Sequence, residues 1–125
     1  MSALSIELPL KVISALNARE HHMARSRRVK AERKAVGLVL QSKPRPALPI
    51  SVHLVRRSPR TLDSHDNLCS AFKGTVDEIA RVFGIDDRSD LMSVTYAQEK
   101  TKAAHGIRIV IASRDNNSTS LRATP

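Results

Sequence analysis

Apolar and polar side chains alternate along residues 4–10, with Ile6 and Leu8 on one side and Glu7 and Pro9 breaking the run. A period of two predicts a first strand with Ile6 and Leu8 facing a core. Pro9 sets its end near Lys11. Residues 14–17 read as a loop into a helix, with Ser14 or Asn17 as the cap that receives free N–H groups of the first turn. From about residue 18 to 40 the spacing becomes loosely helical, with Met23, Val29, Val36 and Val39 or Leu40 as the apolar side. Prolines at 44, 46 and 49 end that helix. Ile50, Val52 and Leu54 then alternate with Ser51, His53 and Val55, a second strand with His53 on its polar face.

Leu68, Phe72, Thr75 or Val76, Ile79 and Phe83 recur at steps of three and four. That spacing predicts one amphipathic helix after Asp66, with Asp66 available as its cap and Gly84 as its C-terminal stop. Residues 91–98 and 107–111 are rich in β-branched side chains and read as two strands of a hairpin. The order strand, helix, strand, helix, strand, strand implies an α/β (α+β) fold: a small mixed sheet of about four strands with two main helices packed on it. Residues 1–112 form a single domain in this reading, and the polar residues 113–125 a flexible tail.

Charge changes the picture from a generic domain to one with a polyanionic partner. The 125 residues carry a formal net charge of +9, and no apolar run approaches the roughly 20 residues of a membrane helix, so nucleic acid rather than a membrane is the expected partner. The N-terminus does not read as a signal peptide, and a cytoplasmic setting follows by default. Phe72, Phe83 and Tyr96 are the only aromatic residues, too few for a base-stacking platform, so contact with the phosphates of a duplex or branched DNA fits better than single-strand binding. Arg19, Arg25, Arg27, Arg28, Lys30, Arg33 and Lys34 outnumber Glu20 and Glu32 along the first helix. They form either a phosphate-binding ridge or a solvated face. Arg56, Arg57 and Arg60 cluster where the second strand ends. Cys69 is the sole cysteine, which excludes an internal disulfide and a multi-cysteine zinc site.

Within this basic chain, carboxylates gather at both ends of the helix after Asp66: Asp63 and Asp66 before it, Asp86 and Asp87 after it. Two or three aspartates in an open site suit Mg²⁺, which favours carboxylate oxygen and keeps several waters. Such an ion can generate hydroxide and stabilise the leaving oxygen of a phosphodiester. Helix capping and solvation are the alternative roles for the same side chains. His65 lies between two of the aspartates but faces another way in most local geometries. Lys73 follows Asp66 by seven residues, about two helical turns. It either pairs with Asp77 at i, i+4 or steadies a scissile phosphate.

The run Asp63-x-x-Asp66-Asn67-Leu68, then Lys73-x-x-x-Asp77-x-Ile79, then Ile85-Asp86-Asp87, resembles the RusA-type Holliday-junction resolvases, small endodeoxyribonucleases common in phages and prophages. Ser14-x-x-Asn17 after a first strand is similar too, and the resemblance spans about residues 4–111. It implies a small homodimeric α/β fold and Mg²⁺-dependent paired cleavage of four-way DNA junctions in recombination and repair, with Mn²⁺ as a substitute ion. Asp66 matches the family's second acidic residue and Asp87 the later acidic ligand, with Asp86 beside it. Two residues, Ser64 and His65, intervene where the family has one, so the first acidic position falls to Asp63 by proximity. Ser70 stands where the family's lysine follows Asp-Asn, and the Lys-x-x-x-Asp spacing carries that role to Lys73, with a local insertion of about a turn. Asn17, Arg25, Arg27, Arg28, Lys30, Arg56, Arg57 and Arg60 would then hold the DNA. A non-catalytic nucleic-acid-binding protein and a nuclease for other branched DNA are the competing readings. A straight helix of about 17 residues would span roughly 25 Å. Joining its acidic ends in one site therefore requires a shorter or bent helix, or a chain that folds back along it.

Overall fold

The computed structural model describes residues 3–13, 22–62, 64–86, 88–102 and 105–114. Along the chain these form β1 (Ala3–Leu8), α1 (His22–Gln41), β2 (Ile50–Ser58), α2 (His65–Ala71), α3 (Lys73–Phe83), β3 (Met92–Lys100) and β4 (Gly106–Ser113). The strands make one mixed sheet in the order β1-β4-β2-β3. The mixed α+β class expected from the sequence is therefore the class observed, with three helices among the described residues rather than two.

β2 is central, paired with β3 in parallel and with β4 antiparallel. Its alternation is the strand signal read from the sequence: Ile50, Val52 and Leu54 are buried on the face that the helices cover, while His53 is exposed on the other. There His53 Nδ1 lies 2.7 Å from Thr95 Oγ1 on the neighbouring strand. Val55 is buried as well, at 4% exposure, so the second face of the strand is not uniformly polar. Leu4 and Ile6 of β1 and Ile107, Ile109 and Ile111 of β4 complete the core with Val36 and Leu40 of α1. Met23, expected on the apolar side of α1, is instead 55% exposed.

Two expectations about connection fail. β3 and β4 are not a hairpin, because β2 lies between them. The crossover through α2 and α3 delivers β3 parallel to β2, and a parallel pair cannot be closed by a short turn. The chain then passes the end of β2, so that β4, with every second residue fully buried, takes an interior place between β1 and β2.

The helix after Asp66 is also not continuous. It breaks at Phe72, whose backbone (φ −98°, ψ 6°) caps α2 at its C-terminus and α3 at its N-terminus. At this joint the Phe72 ring is fully buried, with its centroid 6.0 Å from that of Tyr96. Ser64, not Asp66, is the N-cap of α2, its hydroxyl accepting from Asn67 N at 3.1 Å. Asp66 lies in the first turn, where a carboxylate interacts favourably with the helix dipole. Gly84 ends α3 in the left-handed conformation (φ 70°) that favours glycine, as its position in the sequence implied.

α1 is fastened to α3 by a buried carboxylate. Glu78, 5% exposed, accepts from Arg33 Nε at 3.3 Å and from Arg81 Nε at 3.1 Å. A Cβ at position 37 would come 2.3 Å from Glu78 Oε2, so Gly37 is what lets the helices approach at this point. Hydrogen bonding from Arg81, ahead of the opposing effect of burial, holds the Glu78 carboxyl below its ordinary range. A carboxyl depressed by folding contributes stability above its unfolded pKa and loses it as pH falls through the lower folded value. Unfolding free energy measured against pH should therefore drop on the acid side of the ordinary glutamate range, and Glu78→Gln should flatten that drop. Identical acid limbs for the two proteins would contradict the role.

The loop bearing Asn17 and the stretch 115–125 of the expected tail lie outside the described residues. No helix among the described residues is long and apolar enough to cross a membrane.

Candidate functional site

In a parallel strand–helix–strand unit the crossover begins at the carboxyl end of the first strand, the end at which open α/β sheets commonly bind ligands. Here that end is formed by Ser58 of β2 and Lys100 of β3, which pair in register. The segment from β2 into α2 is pinned to β3 by Gln98. Leu62 N donates to Gln98 Oε1 at 2.7 Å, and Gln98 Nε2 donates to Leu62 O at 3.1 Å. His65 then packs edge-on against Tyr96, with ring centroids 5.7 Å apart. These contacts fix the start of α2 and leave Asp66 exposed to solvent. Burial pushes the Tyr96 phenol up, and the Cys69 thiol beside it adds to the shift.

Asp86 lies elsewhere. Beyond α3, Asp86 O accepts from Ser89 N, and Leu91 O accepts from Ile50 N at the first residue of β2. Asp86 Oδ1 is occupied locally by the backbone N–H of Arg88 at 2.8 Å. Asp66 and Asp86 thus sit at opposite ends of the crossover. The break at Phe72 shortens α3 to eleven residues, but those alone still rise about 16 Å. Asp63 and Asp87 lie outside the described residues. Among the described residues, no three His, Cys, Asp or Glu side chains are grouped so as to hold a metal ion. The carboxylate chemistry at Asp66 suits Mg²⁺, but Asp86 is not grouped with it in one chain.

Lys73 opens α3. Because the helix breaks one residue earlier, the two-turn spacing from Asp66 does not put both on one continuous face. The lysine pairs with Asp77 at 3.2 Å, the i, i+4 contact its spacing allowed, and remains largely exposed. It also joins Arg25, Arg28, Glu32, Ser70 and Asp77 around a cleft of about 140 Å³ between α1 and α3. Two of the arginines expected to hold DNA therefore face the lysine, and Arg28 is already bonded to Glu32 at 3.3 Å. The exposed basic residues of α1 are Arg27, Lys30 and Lys34. Steps of three and four put these three on one stripe, a narrower ridge than the sequence composition implied.

The arginine cluster after β2 divides in the same way. Successive strand residues point to opposite faces, so Arg57 joins Glu7 and Glu99 in ion pairs of 3.2 and 3.3 Å. Arg56 turns to the helix-covered face and is buried. It lines a cavity with Lys11, Ser58, Pro59, Arg60 and His105. Lys11 and His105 were missed in the sequence because neither belongs to a motif or a periodic run. Lys11 follows β1 and His105 precedes β4, and the antiparallel pairing of Leu8 with Ile107 brings the two together.

The chain matches no model of a known protein family and no curated protein.

Proposed function

We propose that this protein is a metal-dependent endodeoxyribonuclease acting on branched DNA, with four-way junctions as the preferred substrate. The observation that supports the reading best is the exposed Asp66 at the β2–α2 junction of a parallel crossover, close in sequence to Arg56 and Arg60 in a chain of net charge +9. Mg²⁺, with Mn²⁺ as substitute, would be held there by Asp66 with Asp63. One or two carboxylates plus substrate phosphate are a usual set for this ion. The ion would supply an activated water and charge stabilisation at the phosphodiester. The chain's own contribution is a backbone-binding surface: the Arg27, Lys30 and Lys34 stripe, the cleft of Arg25, Arg28 and Lys73, and the cationic residues beyond β2. The two-fold symmetry of a four-way junction suits a homodimer with one such surface per protomer. The cytosol of a bacterium or of a phage-infected host is where such a substrate occurs.

A synthetic four-way junction incubated with the protein and Mg²⁺ should be cut by paired nicks, linear duplex far less, and neither in chelator. Flap DNA cut as well as junctions would broaden the substrate to branched DNA in general. The pairing of Lys73 with Asp77, which engages the lysine locally, favours a second reading as a non-catalytic nucleic-acid binder. Salt-dependent junction binding with no scission under Mg²⁺ or Mn²⁺ would establish that reading instead.

A further inference from the structure

We propose that the cavity between the chain following β1 and the end of β2 is a binding site for a phosphate group of a polynucleotide strand. The identity of the strand rests on the nucleic-acid reading above, whereas the preference for an anion rests on the cavity's own residues. The space is about 370 Å³ and is lined by Lys11, Arg56, Ser58, Pro59, Arg60 and His105. Its volume falls in the range of small-ligand sites. Three of the six lining residues are permanent cations and a fourth is an imidazole, with no carboxylate among them.

Arg56 is the distinctive member. Among the described residues most other paired cations meet acids: Arg28 meets Glu32, Arg33 and Arg81 meet Glu78, Arg57 and Arg108 share Glu7 and Glu99, and Lys73 meets Asp77, while Arg114, which is not buried, donates to the Asp90 carbonyl. Arg56 is 8% exposed and donates instead to two uncharged oxygens, Arg60 O at 2.8 Å and Val12 O at 3.5 Å. Desolvation lowers its pKa, yet a guanidinium does not deprotonate in proteins, so the cost of burying the charge remains. An anion in the cavity would offset that cost. The two carbonyls hold the guanidinium in place while using two of its five N–H groups, which leaves three for a ligand. Ser58, 3% exposed, accepts from Arg60 N at 3.4 Å, so its hydroxyl proton is available to donate. Planar guanidinium donors beside a hydroxyl and an ammonium match the several acceptor oxygens of a phosphate.

The test uses the intact protein. Inorganic phosphate is titrated while the Arg56 Nε–H resonance is followed by NMR, with chloride at matched ionic strength as the control. A saturable shift with phosphate, absent with chloride and lost in the double variant Lys11→Ala/Arg60→Ala, is expected. Both replaced side chains are exposed, and the Arg60 carbonyl that holds Arg56 is retained. Equal shifts with chloride, or a phosphate shift that survives the double variant, would overturn the site. Short duplexes carrying a 5′-phosphate or a 5′-hydroxyl then identify the source. The double variant should bind about tenfold more weakly, the loss expected from charge-assisted hydrogen bonds. A loss confined to the 5′-phosphorylated duplex assigns a terminal phosphate, an equal loss for both assigns a backbone phosphate, and no loss for either rejects the proposal. Junction cleavage that persists without phosphate binding would remove this site alone and leave the nuclease reading intact.

Discussion

Asp66→Asn is expected to lose at least about a thousandfold in Mg²⁺-dependent junction cleavage, because the metal's contribution to such a reaction is several kcal/mol. Junction binding should persist and strengthen slightly, because the substitution removes one negative charge from the proposed phosphate-binding surface. The fold provides the control that separates catalysis from stability. Ser64, not Asp66, caps α2, so the substitution removes only a first-turn carboxylate from the helix dipole. That interaction is worth about 0.3–1 kcal/mol. A variant that remains folded, binds and does not cut would support the site. A variant that cuts as well as the parent would remove Asp66 from it and return the carboxylate to a purely local role.

The second large effect is structural. Phe72→Ala should cost about 3–5 kcal/mol, the range for truncating a buried aromatic side chain. Total stabilities of single domains are only about 5–15 kcal/mol, so much of the folding free energy would go with one ring. Phe72 is completely buried and forms the joint between α2 and α3, against Tyr96 of β3. Its loss opens the layer between helices and sheet where the crossover turns. Urea unfolding followed by circular dichroism measures the change. Phe72→Leu, which retains most of the apolar volume, should lose much less. A loss below about 1 kcal/mol in Phe72→Ala would show that the neighbouring side chains collapse into the space.

Most strand and helix assignments were legible locally. The alternation of Ile50, Val52 and Leu54 marked β2, and Ile6 marked β1, because a strand buried on one face must repeat every second residue. Gly84 marked the end of α3 through the backbone conformation that glycine tolerates. The break at Phe72 was not legible, since an apolar residue at a regular helical position looks the same whether its helix continues or turns. Likewise, residues 91–111 contain two good strands a few residues apart, and nothing local distinguishes a hairpin from strands separated by a third.

The candidate site divides along the same line. Asp66 and the basic residues around it could be named from their chemistry, but their grouping could not. Alternation along β2 sends Arg56 and Arg57 to opposite faces, one toward a cavity and the other into ion pairs with Glu7 and Glu99.

The sequence by itself determined a basic mixed α/β chain, with aspartates flanking one helical segment and strands where side chains alternate. These properties depend on residue identity and on periods of two and 3.6, which are local. Only the tertiary structure decided that β2 separates β3 from β4, that Asp66 and Asp86 stand at opposite ends of the crossover, and that Lys11 and His105 flank a buried arginine. The reason is physical: those relations arise from strand pairing and helix packing between residues as much as a hundred positions apart, where the free energy of burying shared apolar surface selects the partners.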